Sequence, residues 1–430
     1  MVKERGRGLC FRFRVASPRV APAAARSPEN PPIVEIFKAA IERGASDIHI
    51  KSGDNVRARI HGSLVPITQQ KLSGDQVRAL AQKLMPHEKD RARIDDLLDY
   101  DCSWGVPGLG RFRVNILRQR GSFMIVMRVI PIEILSFEDL KLPSVLEKIS
   151  DHERGLVLVT GVTGSGKSST MAAMINWINH HKPAHIVTLE NPIEFLHRDL
   201  KSSITQRDIG TDTPSFMAGL RAALRQDPDV LLIGEMRDKE TIDTALRAAE
   251  TGHLVISTVH TKNAVQTLSR LIAVFEPAEQ EMIRVRLSEQ LQAVISQRLL
   301  PTKDGKGRVA ACEIMPVTGT IRDCIRDPKR IEDIYDLIEE GEQTYGSQSF
   351  DQHLMAVVRS GEVDFRVAMA AANNPTDFDL KMNTFAPSGA TAGAGAPQRG
   401  IPTRCRGSSG RAELGRSSLV TVTLASSATC

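Results

Sequence analysis

A chain of 430 residues with 41% hydrophobic and 25% charged content has the composition of an ordinary globular protein of roughly two or three domains, and no apolar run reaches the ~18 residues a membrane-spanning helix needs. Its net charge of +5 sits at its ends: seven Lys/Arg against two Glu in residues 1–30, and five Arg against one Glu in residues 385–430, leave the 354 residues between them at a net −4. That distribution argues against a basic folded face that binds nucleic acid, and six cysteines without a CxxC pair argue against a zinc cluster or a disulfide framework.

In chain order, residues 1–30 are rich in Arg, Ala and Pro without hydrophobic periodicity, and are expected to form a disordered basic extension. The charges in FRFRV interrupt any secretory hydrophobic segment, so a cytoplasmic protein is expected. IVEIFKAAIERG then places Ile33, Ile36, Phe37, Ala40 and Ile41 on one helical face. SDIHIKSGDNVRARIHGSLVPI reads as strands and turns, GDQVRALAQKLM as a helix, and GRFRVNILRQRGSFMIVMRVIP as a hairpin turning at Gln119–Ser122. These elements predict a small α+β domain over residues 31–132, with 133–153 as a linker.

From Arg154 strands and helices alternate: GLVLVTG, HIVTLE, DVLLIGE and HLVISTVH are apolar strands separated by amphipathic helices. Apolar strands in alternation with helices predict an α/β domain whose parallel sheet is covered on both faces. Helices are expected around AVQTLSRLIAVF and QEMIRVRLSEQLQAVISQRLL, and a mainly helical remainder up to residue 375. The Gly/Ala/Ser/Arg-rich stretch 376–430 is expected to be a disordered tail.

The chemistry concentrates in four stretches. GVTGSGKS, residues 161–168, matches the phosphate-binding pattern GxxxxGK[ST] in its required setting, after an apolar strand and before a helix. Gly161, Thr163, Gly164, Ser165, Gly166, Lys167, Ser168 and Ser169 are the candidate nucleotide-binding residues. Lys167 would reach the β- and γ-phosphates, the helix N-terminus would add its positive end, and Ser168 would hold Mg²⁺. LLIGEMRD ends a buried strand on Glu235, the expected carboxylate of the Mg²⁺ shell, on a strand expected beside the loop-bearing one. TLENPIEFLH sets Glu190 and Glu194 on either side of a proline turn. Hydrolysis needs a carboxylate that orients and deprotonates water, and Glu194 is the first candidate, Glu190 the second. TGHLVISTVH ends a strand on His260, placed to sense a γ-phosphate, while His253 begins it. Judged by periodicity alone, the acidic turn reads equally as an exposed turn, and either histidine as a structural one.

Taken together, GVTGSGKS, TLENPIEF, LLIGEMRD and AAETGHLVISTVHT resemble the Walker A, aspartate, Walker B and histidine boxes of the type II/IV secretion ATPase superfamily. The resemblance runs over residues 33–375 and includes SDIHI and GLGRFRVN in the smaller domain. PAEQ, ISQRLLP, GRVAACEIM, GSQSFDQHL and TIRDCIRD, with no four-cysteine insert, resemble the pilus retraction (twitching motility) branch. The resemblance implies a RecA-like P-loop ATPase core with a smaller N-terminal PAS-like domain. It also implies ATP and Mg²⁺ as ligands, and a homohexamer in which Arg113 and Arg128 of one subunit reach the neighbour's nucleotide. Such a ring would work at the cytoplasmic face of the inner membrane, driving pilus machinery through a membrane platform protein and binding no nucleic acid. A pilus-assembly or type II secretion ATPase, a nucleotide-gated regulatory subunit with little turnover and a DNA-translocating ring are the alternatives. One departure stands out: the aspartate box reads Glu190–Asn191 where the family commonly has Glu–Asp.

Overall fold

Every residue of the strand Gly155–Gly161 is buried in the computed structural model. A strand buried on both faces has to be largely apolar, and GLVLVTG is: its one polar side chain, Thr160, donates to the Ser296 hydroxyl at 3.1 Å. The structure describes residues 33–60, 62–106, 109–131 and 133–384, so the expectations for 1–30 and 385–430 lie outside the described residues. Nearly all of the described chain belongs to one unit, Met1–Met382; of the second, Asn383–Cys430, it includes Asn383 and Thr384.

Thirteen strands are described, and they form two sheets. The smaller is fully antiparallel and holds β1 (Ala45–Lys51), β2 (Asn55–Ile60), β3 (Ser63–Lys71), β4 (Asp99–Val106), β5 (Gly110–Gln119) and β6 (Ser122–Ile130) in the order β3-β2-β1-β6-β5-β4. Its strands alternate: Phe112, Val114 and Ile116 of β5 point into a core, while Arg113 points out. Phe37, from the helix Ile33–Glu42, packs its ring 5.7 Å from Trp104 and 5.6 Å from Phe112. The helix Gly74–Leu84 is started by a capping box between Ser73 and Gln76 and buries Val77, Leu80, Ala81 and Leu84 in the same core.

The larger sheet holds β7 (Gly155–Gly161), β8 (His185–Glu190), β9 (Ser203–Asp208), β10 (Val230–Ile233), β11 (Leu254–Val259), β12 (Leu291–Pro301) and β13 (Arg308–Pro316) in the order β13-β12-β7-β11-β10-β8-β9. All neighbours are parallel except β12 and β13. Separate apolar clusters cover its two faces, one including Leu156, Leu158 and Leu231, the other Val157, Val159 and Leu232. Each fully buried aliphatic side chain contributes about 1.5–3 kcal/mol. Parallel strands all present their carboxyl ends along one edge, and Gly161, Glu190, Glu235 and His260 lie at or just past those ends.

The α/β core with its smaller α+β domain is as expected from the sequence, but several local expectations fail. LQAVISQRLLP is not the end of a helix. The helix Gln280–Gln290 stops there, and the chain becomes β12, paired with β7 on one side and β13 on the other. GRVAACEIM lies in β13 and not in a mainly helical remainder. The strands beside β7 are β12 and β11, so Glu235 follows a strand one place further out than expected. Segment 133–153 is more than a linker: Phe137, Leu142, Leu146 and Ile149 are buried against the large sheet. Residues 376–384 also depart from the expected tail, forming the helix Pro375–Thr384, which buries Phe378 with its ring 6.0 Å from Phe365. Among the described residues no helix is long and apolar enough to cross a membrane.

Candidate active site

A cleft of about 620 Å³ opens along the carboxyl edge of the large sheet. On one side is the loop between β7 and the helix Lys167–His181. Gly166 caps that helix with φ 92°, a left-handed backbone that a side chain strains against. At Gly161 space is the limit: a Cβ would lie 2.4 Å from Ser165 Oγ and 2.6 Å from Gln297 O. Six of the eight predicted loop residues (Thr163, Gly164, Gly166, Lys167, Ser168, Ser169) line the cleft. Gly161 and Ser165 are not among its lining residues; both are buried, and the Ser165 hydroxyl has no partner. Lys167 Nζ donates to Gly161 O and Val162 O, both at 3.0 Å. Burial pushes this ammonium below its ordinary value, against the negative charges of Glu194 and Glu235.

Across from the loop stand the carboxylates. Glu235 is placed by the strands on either side of β10: Gly234 N–H donates to Leu189 O at 2.8 Å, Met236 N–H donates to Thr258 O at 3.1 Å, and the Thr258 hydroxyl donates to Gly234 O at 2.7 Å. Glu235 Oε2 lies 2.7 Å from Arg237 and 3.6 Å from His260 Nε2. Burial pushes the His260 imidazole below its ordinary range; the Lys167 charge acts in the same sense and Glu235 opposes both. At neutral pH His260 is therefore mainly uncharged, with one ring nitrogen able to donate a hydrogen bond and the other to accept one.

The two glutamates of the proline turn differ sharply. Glu190 is held: its Oε1 accepts from the Thr188 hydroxyl at 2.7 Å and from Gln206 Nε2 at 3.1 Å, and its Oε2 from the Glu194 backbone N–H at 3.4 Å. Burial raises its pKa above the usual carboxylate value, against those hydrogen bonds. Glu194 is exposed on the far side of a cis Asn191–Pro192 peptide, and lines the cleft. His197 lies at the end of the same turn, and burial pushes its imidazole down to about 4.

Of the two predicted arginines, Arg128 lines this chain's own cleft, ion-paired with Asp47 at 3.0 Å and 69% exposed. Arg113 is its direct partner across β5 and β6, but is not a lining residue. His253 lies outside the cleft, with its Nδ1 2.8 Å from Ala248 O at the end of the helix Lys239–Glu250. Gln206 and Arg308 carry polar groups at or beside the cleft that sequence pattern had not marked. A loop of backbone amides, the Lys167 ammonium, the Ser168 hydroxyl and facing carboxylates is suited to a nucleoside triphosphate.

The model of the type II/IV secretion system protein family matches residues 23–368. This chain belongs to that family. It is 46% identical over 335 residues to the twitching motility protein of Neisseria gonorrhoeae, spanning 76% of this chain and 89% of the relative. It is 44% identical over 346 residues to the type IV pilus retraction ATPase PilT of Pseudomonas aeruginosa, spanning 80% of this chain and 99% of the relative. Its fold matches the crystal structure of the pilus retraction motor PilT with bound ADP at a TM-score of 0.74 and 43% identity, covering 82% of this chain and all (100%) of that one. The Legionella pneumophila ATPase DotB matches at a TM-score of 0.69 and 28% identity, over 79% of this chain and 94% of that one. Family membership accounts for the pairing of a P-loop core with a smaller antiparallel domain.

Proposed function

We propose that this chain hydrolyses ATP to power type IV pilus retraction. The observation that carries the proposal is the meeting, in one cleft, of the P-loop with Glu190, Glu194, Glu235 and His260, in a chain that spans 89% and 99% of relatives named for twitching motility and pilus retraction.

The triphosphate binds with its β- and γ-phosphates on the loop amides, and Lys167 gives up its carbonyl partners for phosphate oxygens. The Ser168 hydroxyl and Glu235 are hard oxygen donors of the kind Mg²⁺ takes when it shares its shell with phosphates and water. That ion would neutralise charge on the phosphates. Glu194 orients a water on the open side of the γ-phosphate and takes its proton as the oxygen–phosphorus bond forms and ADP leaves. His260, 3.6 Å from Glu235, senses whether the γ-phosphate is present. Arg113 and Arg128 lie side by side on the face of the small sheet, and act on the nucleotide of an adjoining subunit in a homohexamer. The ring works at the cytoplasmic face of the inner membrane and passes its motion to a platform protein of the pilus machinery.

Phosphate release by the purified chain tests the enzyme, and removal of the gene tests the direction of pilus movement. Excess surface pili with lost twitching is the expected outcome; absence of pili would make the protein an assembly ATPase.

A further inference from the structure

The exposed turn that carries Glu194 is tied down from one direction by a single side chain. Gln206, on edge strand β9, donates from Nε2 to Phe195 O at 2.9 Å and to Glu190 Oε1 at 3.1 Å. Its Oε1 accepts the His197 backbone N–H at 2.9 Å. One carboxamide thus pairs with the backbone on both sides of Leu196, as a neighbouring strand would, and grips the buried carboxylate as well. The register makes this possible: Thr188 of β8 lies opposite Gln206, so both share a sheet face with Glu190. The strand beneath is firmly based. Two residues on, Asp208 is buried, and it accepts from the Ser103 hydroxyl at 2.6 Å and from Arg111 at 2.8 Å, both from the small domain.

We propose that Gln206 is a positioning residue for the hydrolytic step: it holds the Glu194 turn against Glu190, so that the Glu194 carboxylate stays on the side from which water attacks. The inference rests on the ATPase reading above and extends it to a residue outside the four boxes. Gln206 does not line the cleft, so its loss costs rate and spares binding. Only a side chain with both a donor and an acceptor can hold Glu190, Phe195 O and His197 N–H together. The isosteric glutamate replaces the donor with an acceptor that faces Glu190 and a carbonyl.

The test uses the full chain and two variants. Gln206→Ala is expected to slow single-turnover ATP hydrolysis at least about tenfold, with ADP affinity within about twofold of the parent. Gln206→Glu is expected to be as slow at pH 8 and to recover relative to the parent at pH 6, as a proton shared with Glu190 restores the missing donor; Glu194, His197, Arg198 and Asp199 are the other ionisable groups of this segment, and Lys167, Glu235 and His260 line the cleft beside it. A loss of packing alone would leave the ratio of variant to parent rate unchanged with pH. Amide hydrogen exchange over residues 193–198 is expected to accelerate in Gln206→Ala, a readout that requires no turnover. Parent-like hydrolysis by both variants, a pH-independent ratio for Gln206→Glu, or unchanged exchange in this segment would each overturn the proposal. A parent that binds ADP but releases no phosphate, with faster exchange in the variant, would sink the ATPase reading and leave Gln206 as the anchor of the turn.

Discussion

Strands β7, β10 and β11 are buried at every position, whereas β5 alternates between a buried and an outward face. The two sheets therefore offer different places for chemistry. A strand covered on both sides can present a reactive group only where it ends, so the large sheet carries its loop, carboxylates and histidine along one edge. A strand with an open face can present charge along its length, so the small sheet carries Arg113 and Arg128 side by side in mid-strand. The edge of the first becomes a cleft, and the second holds a pair of arginines on its face.

The strongest break in this division is Lys167→Ala, which removes the cation of the sheet edge. Phosphate release is expected to fall on the order of a thousandfold; near-parent release would show that the cleft is not the site of chemistry. Next comes the split between the two glutamates. Glu194→Gln keeps size and hydrogen bonding but cannot take a proton, and is expected to bind nucleotide normally while hydrolysing it roughly a hundredfold more slowly. Glu190→Gln is expected to lose less. Single-turnover assays with the opposite ranking would hand the base role to Glu190. The small sheet is challenged by Phe112→Ala, which opens a hole between Phe37 and Trp104. It should cost about 3–5 kcal/mol in denaturant unfolding of the small domain and leave ADP affinity alone. A linked loss of affinity would mean that the two regions fold as one.

A finer prediction concerns the charged exception inside the apolar sheet. Glu313 on β13 is 1% exposed; it accepts from Ala264 N–H at 2.7 Å and from the Ser296 hydroxyl at 3.2 Å, and burial pushes its carboxyl up to about 7. The folded chain thus binds this proton more tightly than the unfolded one, whose carboxyl titrates near 4.5. Stability from this group is complete below about pH 4.5 and declines as pH rises towards about 7. Glu313→Gln should flatten that part of the stability–pH curve; an unchanged slope would assign it to other groups. The smallest effect is expected on trimming the chain to residues 31–384, whose ATPase rate should match the parent because the removed ends lack the apolar content to join a core.

What was legible in the sequence follows the same division. β7, β10 and β11 are mainly apolar runs bounded by helices, and the residues at their ends stood out as glycine, glutamate and histidine in unexpected places. LQAVISQRLLP is as apolar, but it continues the helix Gln280–Gln290 without a break signal, and a short apolar run does not distinguish a buried strand from a helix. Its pairing with β7, far away in sequence, made the choice. The order of strands was hidden for the same reason: nothing in LLIGE says that β11 lies between it and the loop. Gln206 has no pattern of its own; its role depends on the register that sets Thr188 opposite it. Helix Pro375–Thr384 was obscured by polar composition; it buries Phe378 and pairs Lys381 with Glu339 at 3.3 Å.

Lys167 brings out one more consequence. Its ammonium is bonded to two carbonyls of its own loop. Phosphate capture is then a swap of partners and not the rescue of a bare charge, so the lysine adds to affinity only the difference between phosphate and carbonyl oxygens. When product departs, the same carbonyls take the cation back, and the ammonium is paired again without waiting for new substrate. A machine that must let go of its fuel after each stroke is better served by this reversible grip than by the tightest one available.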